Sequence, residues 1–368
     1  MASLAAGWAG PAANSETTLH QLAPYIGKIK SSMAGAIVSD FTKQGGVVYD
    51  PFSGSGTIAV EAWSLKRHVI TNDLSPYASL LTRAKLFPYR SASDALRDID
   101  RNAVRVAAVE EHVDPTAAPM WVQEFFHPRT LKEALAWVTV LKARRQWFLL
   151  ACLLGILHHQ RPGFLSYPSS HTVPYRRLRK FPPSEFPELY GYRSVRDRLE
   201  AKVTRAFRRV PTFDFSVQRR CFSRDAGEFV PSEPVDAVIT SPPYMRQLDY
   251  ARDNRLRLWF LGKADWRALD KRISPRGDAF ISLMRRALSR WRSVLKPGSF
   301  CILVIGDVSS RANRSDLPET VSRVAIKEVG GYSLACQYTN SIPSERRVRR
   351  GITGSTADTI LVLKYSGS

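Results

Sequence analysis

Short apolar runs separated by turn residues set the first rhythm of the chain. Gly45-Gly46 is a turn, and Val47-Val48-Tyr49 after it reads as a buried strand. A glycine-rich turn at Ser53 to Gly56 leads into a helical stretch from Thr57 to Leu65, and His68-Val69-Ile70-Thr71 forms a second strand ending in Asn72-Asp73. Strand, turn, helix, strand in that spacing is a βαβ unit of a doubly wound sheet. From Phe87 to Val210 the periodicity is mostly helical, broken by a turn-rich, aromatic and basic passage at Arg161 to Tyr192. Strand patterns then return at Phe213 to Phe222, Val235 to Thr240, Phe300 to Ile305 and Thr359 to Tyr365. Helices are expected over Met245 to Gly262 and over Ala279 to Leu295, the latter stopped by Lys296-Pro297-Gly298. The expected fold is α/β, a doubly wound Rossmann-like sheet carrying a mostly helical, basic insertion. Residues 1–88 and 211–368 form the two parts of the core and 89–210 the insertion.

Composition narrows the partners. The chain has 368 residues, 44% of them apolar, so it can bury a large core. It carries 54 Lys and Arg against 33 Asp and Glu, a formal charge of +21. That field points to a polyanion, nucleic acid before an anionic membrane. The most apolar stretch, Trp147 to Leu157, is well short of the ~20 residues of a spanning helix and reads as buried, so no membrane partner is expected. Four scattered cysteines form neither a CxxC pair nor a Cys/His cluster, which argues against a zinc site or a disulfide scaffold. With no basic or long apolar segment in MASLAAGWAGPAANSE, the reading is a cytoplasmic protein, nucleoid-associated when bound to DNA. His158-His159 has no acidic or Cys partner nearby, and no metal is expected.

Chemistry concentrates in two turns. Asp50-Pro51-Phe52-Ser53-Gly54-Ser55-Gly56-Thr57 lies where a strand ends and a helix begins. Glycines there let the backbone approach a ligand, and the helix offers unpaired N–H groups. No Lys follows Gly56, which excludes a phosphate loop, and Ala59 occupies the third position of the dinucleotide spacing. The leading carboxylate, Asp50, would repel a pyrophosphate but suits a cation. S-adenosylmethionine, with its ammonium and sulfonium, fits better than a dinucleotide. Asp73, at the end of the second strand, stands where an acid accepts hydrogen bonds from ribose hydroxyls.

The second turn is Ser241-Pro242-Pro243-Tyr244, again just past a buried strand. An aromatic exocyclic amine is a poor nucleophile because its lone pair is delocalised. Acceptors on its two N–H bonds draw the nitrogen toward tetrahedral geometry and free that pair for attack on a sulfonium methyl. Ser241 Oγ and the Pro242 carbonyl can be those acceptors, the two prolines stiffen the turn, and Tyr244 offers a face for an extruded base.

DPFSGSGT (Asp50–Thr57), TNDLSPYA (Thr71–Ala78) and TSPPY (Thr240–Tyr244) resemble the S-adenosylmethionine-dependent amino-methyltransferases of nucleic acids, and SPPY is most similar to the DNA cytosine-N4 enzymes. His20 to Ala34 resembles the segment that closes over the methionine end of the cofactor in that family, and Leu295 to Asp307 its fifth-strand signature. The resemblance implies the class I methyltransferase fold and a cofactor site built from Tyr25, Gly27, Lys28, Asp50, Phe52, Ser53, Gly54, Ser55, Gly56, Thr57, Asn72, Asp73, Asp225 and Ala226. Within it, Asp73 would serve the ribose and Asp225 would lie near the adenine. Ser241, Pro242, Pro243 and Tyr244 would form the catalytic turn, and the segment between the motifs would recognise the target. The implied reaction is methylation of the N4 amine of a flipped cytosine in double-stranded DNA. Alternatives are DNA adenine-N6 methylation, RNA amino-methylation at guanine N2 or adenine N6, and a non-catalytic DNA-binding subunit. A cognate restriction endonuclease or defence complex is a possible partner that the sequence does not specify.

Backbone contacts are expected from the basic passage at Arg176, Arg177, Arg179 and Lys180, and from Arg246, Arg252, Arg347 and Arg350. Which side chains read base edges is not legible.

Overall fold

The computed structural model describes residues 16–170, 173–244, 249–306, 308–310, 313–315, 317–341 and 357–367. Seven strands form one sheet: β1 (Val47–Asp50), β2 (His68–Asn72), β3 (Arg219–Phe222), β4 (Val235–Thr240), β5 (Leu295–Gly306), β8 (Tyr332–Ser341) and β9 (Ala357–Tyr365). A separate ribbon pairs β6 (Val308–Ser310) with β7 (Asn313–Ser315). The sheet order is β3-β2-β1-β4-β5-β9-β8. Strands β1 to β5 pair in parallel, and β9 runs antiparallel to both β5 and β8. Five parallel strands with an antiparallel strand wedged before the last are the class I methyltransferase arrangement. The chain reverses its direction of travel across the sheet between β1 and β4, so the carboxyl ends of those two strands open a crevice.

The alternation of side chains along each strand divides the core in two. Val48, Val69, Ala237, Ile239, Ile302 and Val304 point to one face, under helices Ser31–Phe41, Thr57–Ser64 and Pro76–Leu86. Tyr49, Ile70, Val238, Cys301, Leu303 and Ile305 point to the other, under helix Asp278–Trp291. Helices Ala92–Glu111, Pro128–Ala143, Trp147–Gly155 and Val195–Ala206 of the middle segment contribute to the first core. Every residue from Leu149 to Leu154 is fully buried there. Gly155 closes that helix against the N-terminal segment, where an added Cβ would stand 2.4 Å from the Leu22 carbonyl oxygen. Among the described residues no helix is long and apolar enough to cross a membrane.

Several elements differ from the pattern read off the chain. Helix Asp278–Trp291 ends before Leu295, and Lys296-Pro297-Gly298 lies inside β5. Leu295 pairs with Val235 and Phe300 with Ala237, so the intervening residues form a bulge, with Gly298 at φ +84°. Only Arg219–Phe222 of the Phe213–Phe222 run is strand; Phe213 instead stacks on Trp63 with ring centroids 3.7 Å apart. Of the helix expected over Met245 to Gly262, residues 245–248 lie outside the described residues, and the rest holds two short helices, Tyr250–Asp253 and Arg255–Phe260, meeting at Asn254. Buried Arg257 sets the second one in place by donating to the Leu154 carbonyl and to Asn254 Oδ1, both at 3.2 Å.

Candidate active site

Parallel pairing of β1 with β4, Val48 beside Ala237 and Tyr49 beside Val238, brings the two motifs to one edge. The Thr240 hydroxyl donates to Asp50 Oδ1 at 2.7 Å and accepts from the Phe52 amide at 3.1 Å, fastening one turn to the other. Between them opens a cleft with about 830 Å³ of empty space, part of it open solvent, lined by Gly54 from the first turn and by Ser241 and Pro243 from the second.

The glycine turn has a fixed shape. Gly56 N–H donates to the Ser53 carbonyl at 2.7 Å, and Gly56 caps helix Thr57–Ser64 in the left-handed region at φ +75°. An added Cβ there would lie 2.9 Å from Thr82 Oγ1 and 3.1 Å from Thr82 Cα, so conformation and space both require glycine. Asp73 braces the same turn: its Oδ2 accepts from the Gly54 amide and its Oδ1 from the Ser75 amide, each at 2.8 Å.

Two carboxylates are held where water reaches them poorly. Burial raises Asp50 to about 7, Asp73 adds to the rise, and the bonds from Thr240 and the Phe52 amide oppose it. Burial raises Asp73 to about 6 against the pull of the Ser75 and Gly54 amides. Among the described residues no cation is bonded to Asp50 or Asp73, and Asp50 when ionised is a receptor for positive charge. The donor set therefore fits S-adenosylmethionine: Asp50 for its cationic end, Asp73 for its ribose, and backbone and small residues at the glycine turn for close approach.

At the other side of the cleft, Ser241 Oγ donates its proton to the Val304 carbonyl of β5 at 3.1 Å. Its remaining lone pairs can accept a hydrogen bond. The Tyr244 hydroxyl donates to Asp358 Oδ1 of β9 at 3.0 Å, and the Tyr244 amide donates to the Tyr250 hydroxyl at 3.3 Å. Burial raises Asp358 to about 6, while Tyr244 and Lys30 draw it down. Tyr250 in turn stacks on Tyr25, with centroids 6.1 Å apart and planes at 28°.

Most of the sequence-read cofactor residues share this cleft. Tyr25, Gly27, Lys28, Asp50, Phe52, Ser53, Gly54, Ser55, Thr57, Asp73, Asp225 and Ala226 all line it. Gly56 and Asn72 stand behind the lining. Fully buried Asn72 ties the end of β2 to its neighbours, donating to the Pro51 and Arg224 carbonyls and accepting from the Arg224 amide. Pro242 and Tyr244 are not among the residues lining the cleft, and Tyr250 is the aromatic ring of this side that lines the space.

Pattern reading did not find Arg272, Ile273 and Leu283, which line the cleft from helices Trp266–Ile273 and Asp278–Trp291. It also passed over Lys85, whose buried ammonium donates to the Ser55 carbonyl at 2.5 Å beneath the turn, and which burial lowers to about 7. The one available signal was a lysine inside an otherwise apolar helical face.

The basic residues divide. Arg179 and Lys180 are exposed. Arg176 lies over the rings of Tyr167 and Tyr190, Arg177 bonds Gln160, and Arg252 pairs with Asp249 at 3.1 Å. Arg246, Arg347 and Arg350 lie outside the described residues. Buried His158 is bonded through Nδ1 to the Ser170 carbonyl at 2.8 Å, and no cluster of three or more His, Cys, Asp or Glu suited to a metal occurs among the described residues.

Residues 13–82, which carry β1, the glycine turn and β2, match the family described as DNA methylase. No curated protein matches the chain. Among solved structures, TrmN from Thermus thermophilus is 13% identical with a TM-score of 0.39, over 94% of this chain and 52% of that one, so this chain spans about half of TrmN. The rRNA methyltransferase AviRa from Streptomyces viridochromogenes is 12% identical with a TM-score of 0.33, over 93% and 87% of the two chains. The glycopeptide N-methyltransferase MtfA, solved with S-adenosyl-L-methionine, is 10% identical with a TM-score of 0.35, over 92% and 87%. Likenesses this distant leave the fold assignment resting on the strand order itself. The strand order defines a class I methyltransferase fold, and residues 13–82 on its cofactor side are similar to the DNA methylase family.

Proposed function

We propose that this chain moves the methyl group of S-adenosylmethionine to an exocyclic amine of nucleic acid, specifically the N4 of a flipped cytosine in DNA. The carrying observation is Ser241: it lines the cleft together with Asp50 and Gly54, and its hydroxyl donates to the Val304 carbonyl, which leaves its oxygen able to accept. When bound, the cofactor supplies an electrophilic methyl on a positively charged sulfur. Asp50 faces that charge, Asp73 stands at the end of β2 for the ribose hydroxyls, and the glycine turn lets the cofactor approach the backbone closely. Ser241 Oγ and the Pro242 carbonyl take the two amine hydrogens and turn the nitrogen lone pair toward the methyl. Tyr244, held through Asp358 and Tyr250, keeps the turn rigid and backs the base. Residues 89–210 serve as the target-recognition segment, with Arg179 and Lys180 on the phosphate backbone.

The test is methyl incorporation from labelled S-adenosylmethionine into duplex DNA and into tRNA, with Ser241→Ala alongside. DNA should be labelled, and Ser241→Ala should lower turnover by about 100-fold or more while leaving cofactor affinity nearly unchanged. Label confined to tRNA would replace DNA with RNA as the substrate. Full turnover in Ser241→Ala would refute the role given to the serine.

A further inference from the structure

The cleft is rich in acid. Asp50, Asp73 and Asp225 line it, which suits a cationic cofactor and opposes a polyanion brought against the same hollow. Two cations line it as well. Lys28 is occupied: its ammonium donates to the His20 carbonyl at 3.1 Å and lies 3.9 Å from Glu16. Arg272 is exposed and makes no hydrogen bond or ion pair among the described residues.

Two arginines close to it in sequence are paired. Arg252 and Arg276 both pair with the carboxylate of Asp249, at 3.1 and 2.5 Å. Arg272 is also well supported from below. Asp270 Oδ1 accepts from the Ala251 amide and from Ser274 Oγ, both at 3.0 Å, and Ser274 Oγ accepts from the Tyr250 amide at 3.3 Å. These bonds lock helix Trp266–Ile273 to helix Tyr250–Asp253, whose Tyr250 hydroxyl receives the Tyr244 amide. The backbone of Arg272 is thereby braced to the same wall as the catalytic turn.

We propose that Arg272 forms a phosphate subsite at the cleft, its guanidinium holding the sugar-phosphate backbone beside the target nucleotide. The inference rests on the nucleic-acid reading above and adds to it the group that admits a polyanion into an acidic hollow. An arginine fork matches two phosphate oxygens, and its positive charge offsets the repulsion from the three carboxylates.

The experiment compares wild type, Arg272→Ala and Arg272→Lys on fragmented, unmodified genomic DNA over a series of salt concentrations, with calorimetric titration of S-adenosylmethionine in parallel. For Arg272→Ala, KM for DNA should rise about tenfold with kcat nearly unchanged. The slope of log affinity against log salt should fall by about one contact. Arg272→Lys should recover part of the KM, and cofactor affinity should stay constant. Weaker cofactor binding with an unchanged KM for DNA would assign Arg272 to the cofactor's carboxylate and overturn the proposal. Unchanged KM and salt slope would overturn it too. Wild type that neither binds nor methylates nucleic acid would instead bring down the underlying reading, and this inference with it.

Discussion

Protonation of Asp50 should control how tightly the cofactor binds. Burial holds Asp50 near 7 and Asp73 near 6, and the cofactor needs both ionised, Asp50 to face its cation and Asp73 to accept from its ribose hydroxyls. Apparent affinity is then reduced by the fraction of protein in the competent state. At about pH 8 Asp50 is some nine-tenths ionised and at about pH 6 some one-tenth, a loss of about tenfold, with Asp73 adding about twofold. The dissociation constant should therefore rise by roughly 20-fold from about pH 8 to about pH 6. The same shift acts on the fold with the opposite sense. Because the folded pKa of Asp50 lies above the unfolded one, the cofactor-free fold loses this group's contribution as pH climbs from about 4 through about 7. Binding a cation restores it.

The assay is isothermal calorimetry at constant ionic strength, repeated in buffers of different ionisation enthalpy to count protons. Near neutral pH, binding should release a fraction of a proton from the carboxylates. The ligand's own ammonium takes up a proton over part of this window, so Asp50→Asn supplies the comparison. That variant should bind weakly at about pH 8 and lose most of the pH step. A flat affinity from about pH 8 to about pH 6, or the same slope in Asp50→Asn, would refute the view that Asp50 receives the cation.

Other outcomes follow from single contacts. Gly56→Ala forces a left-handed φ on a residue whose Cβ meets Thr82, and should lower unfolding free energy by about 1–3 kcal/mol in denaturant titrations; an unchanged midpoint would contradict the turn geometry. Lys85→Met removes a buried cation and its bond to the Ser55 carbonyl. The folded pKa of Lys85 is lowered, so its charge opposes folding below about 7, and thermal melts of Lys85→Met should gain most at low pH while cofactor binding weakens several-fold. Tyr244→Phe leaves the ring and removes the donor to Asp358. It should reduce stability by about 1–3 kcal/mol yet retain measurable transfer, whereas Tyr244→Ala should abolish transfer.

The parts of this molecule that were legible from its sequence are those governed by local rules. β1, β2, β4 and β9 are runs of apolar residues ended by turn chemistry, and the glycine turn declares its positive φ through Gly54 and Gly56. That both motifs meet at one cleft followed from their positions at strand ends. Edge strand β8 was not read at all, because a register shift between Leu334 and Cys336 breaks its alternation and it has a paired neighbour on one side only. Lys296-Pro297-Gly298 has the composition of a helix stop, but its pairing partners carry it into a strand as a bulge. Arg272 and Lys85 were illegible for another reason. Neither belongs to a motif, and each gains meaning only when its helix comes to rest against the glycine turn or beside the cleft.

The claim that a methyl donor and a nucleobase amine meet between the glycine turn and Ser241 is tested most directly by mass spectrometry of nucleosides from cells expressing the protein. DNA should contain N4-methylcytosine in wild type and far less with Ser241→Ala. DNA and RNA that carry no methylated nucleoside dependent on Ser241 would contradict it.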